Sequence, residues 1–181
     1  MEFDVIVEIP QGSRNKYEMD HKLGRLRLDR MLFTSTQYPV DYGFVPGTLA
    51  EDGDALDAMT LLEEPTFPGC SIRVRPIGVF WMHDEHGPDA KILTVPPNDP
   101  RYAEMWELTD VPGHLLAEIG HFFHIYKELE PCKESDVRGW QHRAEAEQEI
   151  NASFARAHAE NGLSGRTAAP PARALGWTRS S

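Results

Sequence analysis

The chain has 181 residues with a formal net charge of −11, and it is 40% hydrophobic and 26% charged. This composition is typical of one globular domain with a core, and it excludes an intrinsically disordered chain. The excess of acid argues against a nucleic-acid surface, which needs clustered Lys and Arg, and favours a site that collects cations.

Cysteine usage and hydropathy bear on the compartment. Cys70 and Cys132 form no CxxC pair, no secretory signal is evident, and no apolar run approaches the ~20 residues of a membrane span. We therefore expect a reduced, cytoplasmic protein that has neither a membrane nor a nucleic acid as a partner.

The first elements are predicted strands. "FDVIVEIP" alternates apolar and polar residues, and "KYEMD" and "RLRLDRMLF" do so on either side of a turn, "HKLG". We expect Glu8, Lys16 and Glu18 to share the polar side of a small antiparallel sheet, close to Arg30.

The next feature is an acidic stretch, "EDGDALDAM", which leads directly into apolar residues. Asp52, Asp54 and Asp57 are expected at the lip of a buried element. Two carboxylates ~6 Å apart repel by ~3 kcal/mol at an effective dielectric of about 20, so a nearby positive charge is expected to offset that cost.

Two strands and two helices follow. "CSIRVRPIGVFWM" and "AKILTVP" are predicted strands whose connection brings Asp84 and Asp89 to one end of a hairpin. "GHLLAEIGHFFHIYKEL" has helical spacing, and a second helix is predicted from a Ser135 cap to a stop at Asn161-Gly162. We predict an α+β fold, a compact β-barrel with helices outside, in one domain over residues 1–161 and a disordered tail over 162–181.

The acids form a candidate metal site. Oxygen ligands at strand ends, without a His or Cys cluster, suit Mg²⁺ or Mn²⁺ rather than Zn²⁺. An EF-hand is excluded because position 5 counted from Asp52 is Leu56 and position 6 is Asp57. The candidate acids are Glu8, Glu18, Asp52, Asp54, Asp57, Asp84 and Asp89.

Cationic and phenolic side chains are interleaved with these acids, and beside metals they indicate a bridging phosphate. The chain lacks GxxxxGK[ST], GxGxxG and GxSxG motifs, which leaves metal-assisted attack of water on a small polyphosphate. Each motif alone is compatible with a solvated strand face or an ordinary turn, so the case depends on all of them together. The donors are Lys16, Arg30, Tyr38, Tyr42, Lys91, Tyr126 and Lys127.

Six segments resemble, in order, the motifs of family I soluble inorganic pyrophosphatases: "EIPQGSRNKYE", "LDR", "YPVDYGF", "EDGDALDAM", "DEHGPDAK" and "HFFHIYKELE". The resemblance covers residues 2–158. It implies a five-stranded, OB-like barrel flanked by helices, usually a homohexamer in bacterial members. It also implies Mg²⁺-dependent hydrolysis of pyrophosphate to two phosphates.

The resemblance also implies residue roles. Asp54 resembles the carboxylate that accepts the proton of the attacking water, and Asp89 is the rival base. By the same resemblance, Asp52, Asp57 and Asp89 hold a first metal, and Asp57 also reaches a second. Asp84 and Asp89 hold a metal that arrives with substrate. Glu8 and Glu18 serve a further metal. The phosphates are bound by Lys16, Arg30, Tyr42, Lys91, Tyr126 and Lys127.

The chain departs from the family pattern in a few places. Ala55 stands where Pro is usual, which leaves the loop less constrained without removing a ligand. Gln11 replaces a frequent Lys, and His21 and His86 adjoin the site. Three alternatives stay open: a metal-dependent hydrolase of nucleotides or other small phosphate esters, a non-catalytic OB-type module for nucleic acid, and an inactive paralogue.

Overall fold

The computed structural model of the protein describes residues 1–84, 87–131 and 136–164. These residues form strands and two longer helices, with short 3₁₀ turns at Pro100–Tyr102 and Leu108–Asp110. The strands are β1 Phe3–Ile9, β2 Asn15–Asp20, β3 Arg25–Met31, β4 Asp41–Phe44, β5 Asp57–Thr60, β6 Ser71–Asp84, β7 Gly87–Val95 and β8 Asp136–His142, and the helices are α1 Gly113–Ile125 and α2 Arg143–Ser164.

Five of the strands close into a barrel. The order β1-β4-β5-β7-β6 returns to β1, because the first part of β6 pairs with β1. All neighbours are antiparallel except β5 and β7, which run parallel. This closed sheet with its helices confirms the predicted α+β barrel, and closure leaves few unpaired strand edges.

Strand β4 shows why a glycine is needed in the barrel wall. A Cβ on Gly43 would lie 1.9 Å from the carbonyl oxygen of Ile6 on β1, so no other residue permits this close approach. All four residues of β4 are buried, and β4 places Tyr42 beside β5.

Strands β2 and β3 form a separate hairpin, as predicted, in which Lys16 pairs with Arg30. The prediction that Glu8 belongs to the same small sheet is wrong, because Glu8 lies on barrel strand β1. Its carboxylate instead reaches across to the hairpin and accepts the N–H of Met19 at 2.7 Å.

The helix predicted from Ser135 begins later than expected. Ser135 lies outside the described residues, but 136–142 form β8, and α2 starts only at Arg143. The far half of the long strand β6 offers a free edge that β8 covers, and Trp140 packs on Phe80 with ring centroids 4.9 Å apart. The predicted stop at Asn161-Gly162 is also wrong, since α2 continues to Ser164.

Two apolar clusters join the barrel to its helices. Phe122 and Phe123 of α1 pack against Tyr42 and Phe80, and Ala146 and Ile150 of α2 pack in the second cluster. Within the described ranges, no helix has the length and apolar character needed to cross a bilayer. The predicted tail from 165 onward lies outside the described residues.

Candidate active site

A cavity of about 580 Å³ opens between the barrel, the β2–β3 hairpin and the segment after α1. All predicted site residues except Tyr38 and Asp84 line it. Asp84 is the last residue of β6, and its side chain lies outside what the structure describes. The predicted residues in the lining are Glu8, Lys16, Glu18, Arg30, Tyr42, Asp52, Asp54, Asp57, Asp89, Lys91, Tyr126 and Lys127.

On the barrel side of this cavity, Lys91 is the residue that joins three other lining residues by hydrogen bonds. Its ammonium is buried and donates to Asp57 Oδ2 at 2.7 Å, to both oxygens of Asp89 at 2.9 Å and to the phenolic oxygen of Tyr42 at 2.9 Å. The parallel register places Asp57 directly opposite Lys91, and Asp89 lies two residues earlier on the same face of β7. The Tyr42 hydroxyl donates in turn to Asp57.

Burial and charge compete at this cluster. Burial alone would lower the pKa of Lys91, but Asp57 and Asp89 raise it well above its ordinary value, so the ammonium stays charged. Burial, followed by the charges of Asp57 and Asp89, raises the pKa of Tyr42 far above its usual range. Tyr42 is therefore a hydrogen-bond donor at every working pH.

The acidic loop, residues 45–56 between β4 and β5, supplies Asp52 and Asp54 from an exposed tip. Asp52 Oδ1 accepts the N–H of Asp54 at 3.1 Å. Partial desolvation of the Asp52 carboxyl in the cavity raises its pKa, and the hydrogen bond from Asp54 opposes that shift. Ala55 also lines the cavity. Two residues later, Asp57 is the first residue of β5 and lies at the lip of the barrel, as predicted.

Glu8 carries a strongly perturbed carboxyl in the cavity wall. Burial raises its pKa from 4.5 to about 7, the N–H of Met19 opposes the shift, and the charge of Asp57 adds to it. Opposite Glu8, the Lys16 ammonium donates to Glu18 and lies 3.8 Å from Asp29. This wall therefore carries more negative charge than its own cations neutralise.

Arg30 is held by two acids that sequence reasoning did not select. Its Nε and Nη2 atoms donate to the buried carboxylate of Glu130 at 2.8–2.9 Å, and its Nη1 donates to Asp29. Burial disfavours the charged guanidinium, but Glu130 and then Asp29 raise the pKa of Arg30 above its ordinary value. Both acids stand inside quoted motifs, "LDR" and "YKELE", yet no local signal pairs them.

The turn that follows α1 contributes the remaining donors. Tyr126 packs edge-on against Phe123, and the Lys127 ammonium lies 5.5 Å from the centre of the Tyr126 ring. Tyr38, which the sequence grouped with these donors, instead lies in the core against Phe122. His21 lines the cavity edge-on to Phe44, and His86 lies outside the described residues.

The donor set of the cavity suits hard cations, since its acids are carboxylates that compete for too few positive charges. Among residues 1–84, 87–131 and 136–164, no group of three or more Asp, Glu, His or Cys side chains is already arranged to bind a metal ion. Two of these acids, Asp57 and Asp89, share the ammonium of Lys91 as a positive charge.

Comparison with known proteins places the chain in a family. An inorganic pyrophosphatase family model matches residues 5–158. The inorganic pyrophosphatase of Streptomyces coelicolor is 58% identical over 156 residues, 86% of this chain and 96% of that relative. The solved structure of inorganic pyrophosphatase from Thermus thermophilus has a TM-score of 0.84 at 44% identity, covering 87% of this chain and 91% of that one. An inorganic pyrophosphatase structure from Coxiella burnetii gives 0.83 at 47% identity, with 86% and 94% covered. The chain belongs to the family I inorganic pyrophosphatases.

Proposed function

We propose that the protein hydrolyses inorganic pyrophosphate to two phosphates and that it needs Mg²⁺, for which Mn²⁺ can substitute. The observation that carries this proposal is the composition of one cavity, in which carboxylates of the barrel strands and the acidic loop share the lining with Arg30, Lys16, Tyr126 and Lys127 of the hairpin and the segment after α1. A small, highly charged anion that brings divalent cations with it satisfies both sides at once.

The residues that would hold the cations are the acids of the cavity and of the β6–β7 hairpin. We assign Asp52, Asp57 and Asp89 to one cation, and Asp57 is shared with a second cation. We assign Asp84 and Asp89 to a cation that accompanies substrate. Glu8 and Glu18 are assigned to a further cation. Burial is the main cause of the raised pKa values of Glu8 and Asp52, and the neighbouring charges of Asp57 and Asp89, respectively, add to it. A cation bound among these acids would offset that repulsion and favour the ionised carboxyls. When bound, the cations polarise the attacking water and the phosphate oxygens.

Asp54 is our choice for the base that takes the proton of the attacking water. Its exposed position at the tip of the acidic loop leaves it accessible to water. The rival, Asp89, already accepts hydrogen bonds from Lys91 on both of its oxygens, which makes it a weaker base.

The donors of the cavity would bind the two phosphates. Water adds to one phosphorus, the bridging P–O bond breaks, and the departing phosphate gains negative charge. Arg30, Lys127 and Tyr126 would neutralise that charge, and Lys16, Tyr42 and Lys91 would hold the remaining oxygens. Such positioned donors account for most of the acceleration in phosphoryl transfer.

Domain organisation, assembly and location belong to the same proposal. We expect residues 1–161 to act as one pyrophosphatase domain, the chain to assemble as a homohexamer and the enzyme to work in the cytoplasm. Sedimentation analysis of the full chain tests the assembly.

The function is tested by phosphate release from pyrophosphate with Mg²⁺, with EDTA and with ATP as a parallel substrate. We expect rapid release that requires Mg²⁺ and largely spares ATP. Equal or faster release from ATP would instead establish the nucleotide hydrolase, and a folded, Mg²⁺-supplied protein without release would exclude both enzymes.

A further inference from the structure

The acidic loop is closed on itself at its base and at its tip. At the base, Val45 N–H donates to Leu56 O at 2.8 Å, and the Thr48 hydroxyl links Val45 to Leu56. At the tip, Ala50 N–H donates to Asp54 O at 2.7 Å. Residues 51–54 are exposed, so packing does not fix the direction in which the tip points.

Helix α2 holds Leu49, which lies between the base and the tip on the first arm of the loop. The N–H of Leu49 donates to the carbonyl oxygen of Ser153 at 3.0 Å, and the carbonyl oxygen of Leu49 accepts from Arg156 Nε at 2.8 Å. Both backbone polar groups of Leu49 are thus bound by α2, more than a hundred residues away in sequence.

The Arg156 guanidinium is itself oriented along one face of α2. Its Nη2 donates to the Ser153 hydroxyl at 2.8 Å and to the carboxylate of Glu149. A planar guanidinium whose two nitrogens are fixed in this way holds its acceptor in a defined direction, which a flexible ammonium does not.

We propose that Arg156 is a positioning residue for divalent cations: through Leu49 it sets where the acidic loop presents Asp52 and Asp54. This inference rests on the proposed function only in assigning those acids to cation binding and water activation. Groups that orient metal ligands without touching the metal typically contribute 10- to 100-fold in affinity.

The test measures Mn²⁺ binding to the full chain by electron paramagnetic resonance, without substrate, together with hydrogen exchange over residues 48–56 without metal. We expect Arg156→Ala to bind Mn²⁺ about 10-fold more weakly and to exchange faster in that segment. Arg143→Ala is the matched control, because Arg143 pairs with Glu147 on the same helix without contacting the loop, and it should leave both quantities unchanged.

In the phosphate-release assay with pyrophosphate, Arg156→Ala should need about 10-fold more Mg²⁺ for half-maximal release and then approach wild-type turnover. A folded Arg156→Ala with wild-type Mn²⁺ affinity, or equal losses in Arg156→Ala and Arg143→Ala, would overturn the inference. If Arg156→Ala does not fold, Arg156→Lys decides by the same criteria, since a flexible ammonium lacks the planar fork by which Nε binds Leu49 while Nη2 binds Glu149. Wild-type protein that binds Mn²⁺ but releases no phosphate would refute the proposed function and leave the role of Arg156 to the binding and exchange data.

Discussion

The carboxylate of Glu130 accepts hydrogen bonds from both Nε and Nη2 of Arg30, although the two residues are 100 positions apart. Glu130 is buried, and it joins the turn after α1 to strand β3 of the hairpin. The guanidinium is therefore oriented by the protein itself, and its orientation does not depend on substrate.

We predict that Glu130→Ala lowers kcat/KM for pyrophosphate by about 10- to 100-fold, because the freed Arg30 no longer faces the phosphate in one orientation. The measurement is steady-state phosphate release at saturating Mg²⁺. Glu128→Ala is the control, since Glu128 is exposed two residues earlier. Unchanged kcat/KM in folded Glu130→Ala would show that Arg30 does not depend on Glu130.

Tyr42→Phe removes the hydroxyl that links Asp57 and Lys91. We expect the free energy of unfolding in EDTA to fall by about 1 kcal/mol, the usual contribution of a buried hydrogen bond, and turnover to fall as well. Tyr102→Phe, a buried tyrosine of the core cluster that does not line the cavity, should keep full turnover. Wild-type turnover in Tyr42→Phe would remove Tyr42 from the list of phosphate ligands.

Asp54→Asn separates proton transfer from cation binding. We predict a loss of turnover of about 100-fold at neutral pH, within the range for a general base, with Mn²⁺ affinity nearly unchanged. Asp52→Asn should show the opposite pattern, weaker Mn²⁺ binding as its main defect. If Asp54→Asn keeps wild-type turnover, or abolishes cation binding, the assignment of the base to Asp54 is wrong.

The raised pKa of Glu8 predicts a pH dependence of stability in EDTA. The folded protein binds the Glu8 proton up to about pH 7, whereas the unfolded chain releases it near pH 4.5. The folded state therefore holds more protons in this window, and stability falls as pH rises through it, by about 3 kcal/mol for this one group.

Glu8→Gln isolates that effect, because it cannot ionise. The free energy of unfolding of wild type minus that of Glu8→Gln should fall between pH 4.5 and pH 7 and then level off, as measured by urea unfolding in EDTA. Saturating Mg²⁺ should flatten the curve by favouring the ionised carboxyl. A difference that is constant across this window would show that Glu8 is not protonated in the folded protein.

The sequence predicted which residues line one cavity better than it predicted the strands around that cavity. The alternation around Lys16 and Arg30 indicated a hairpin, and the acids before Asp57 indicated the edge of a buried strand, since both are local patterns. Strand β4 was missed because its residues are all buried, which removes the alternation, and because Gly43 normally weakens a strand.

The errors arose where distant parts of the chain decide local structure. Residues 136–142 form a strand because the long strand β6 leaves an unpaired edge to which they can hydrogen-bond. The segment "DVRGWQH" itself contains no pattern that predicts pairing with β6. The pairing of Arg30 with Glu130, and the four acceptors around Lys91, likewise depend on register between segments far apart in sequence. The sequence could assign such residues to a cavity but not to each other.

The parallel pairing of β5 with β7 has a consequence for how the enzyme matures. Asp57 and Lys91 meet only when segments 34 residues apart have come into register, and closure of β6 onto β1 spans an even longer separation. Chains dominated by such distant pairings fold slowly, on the scale of milliseconds to seconds. Hairpins that form early from neighbouring segments do not bring Asp57 to Lys91. Activity that returns after denaturation should therefore follow closure of the barrel and not the first appearance of secondary structure.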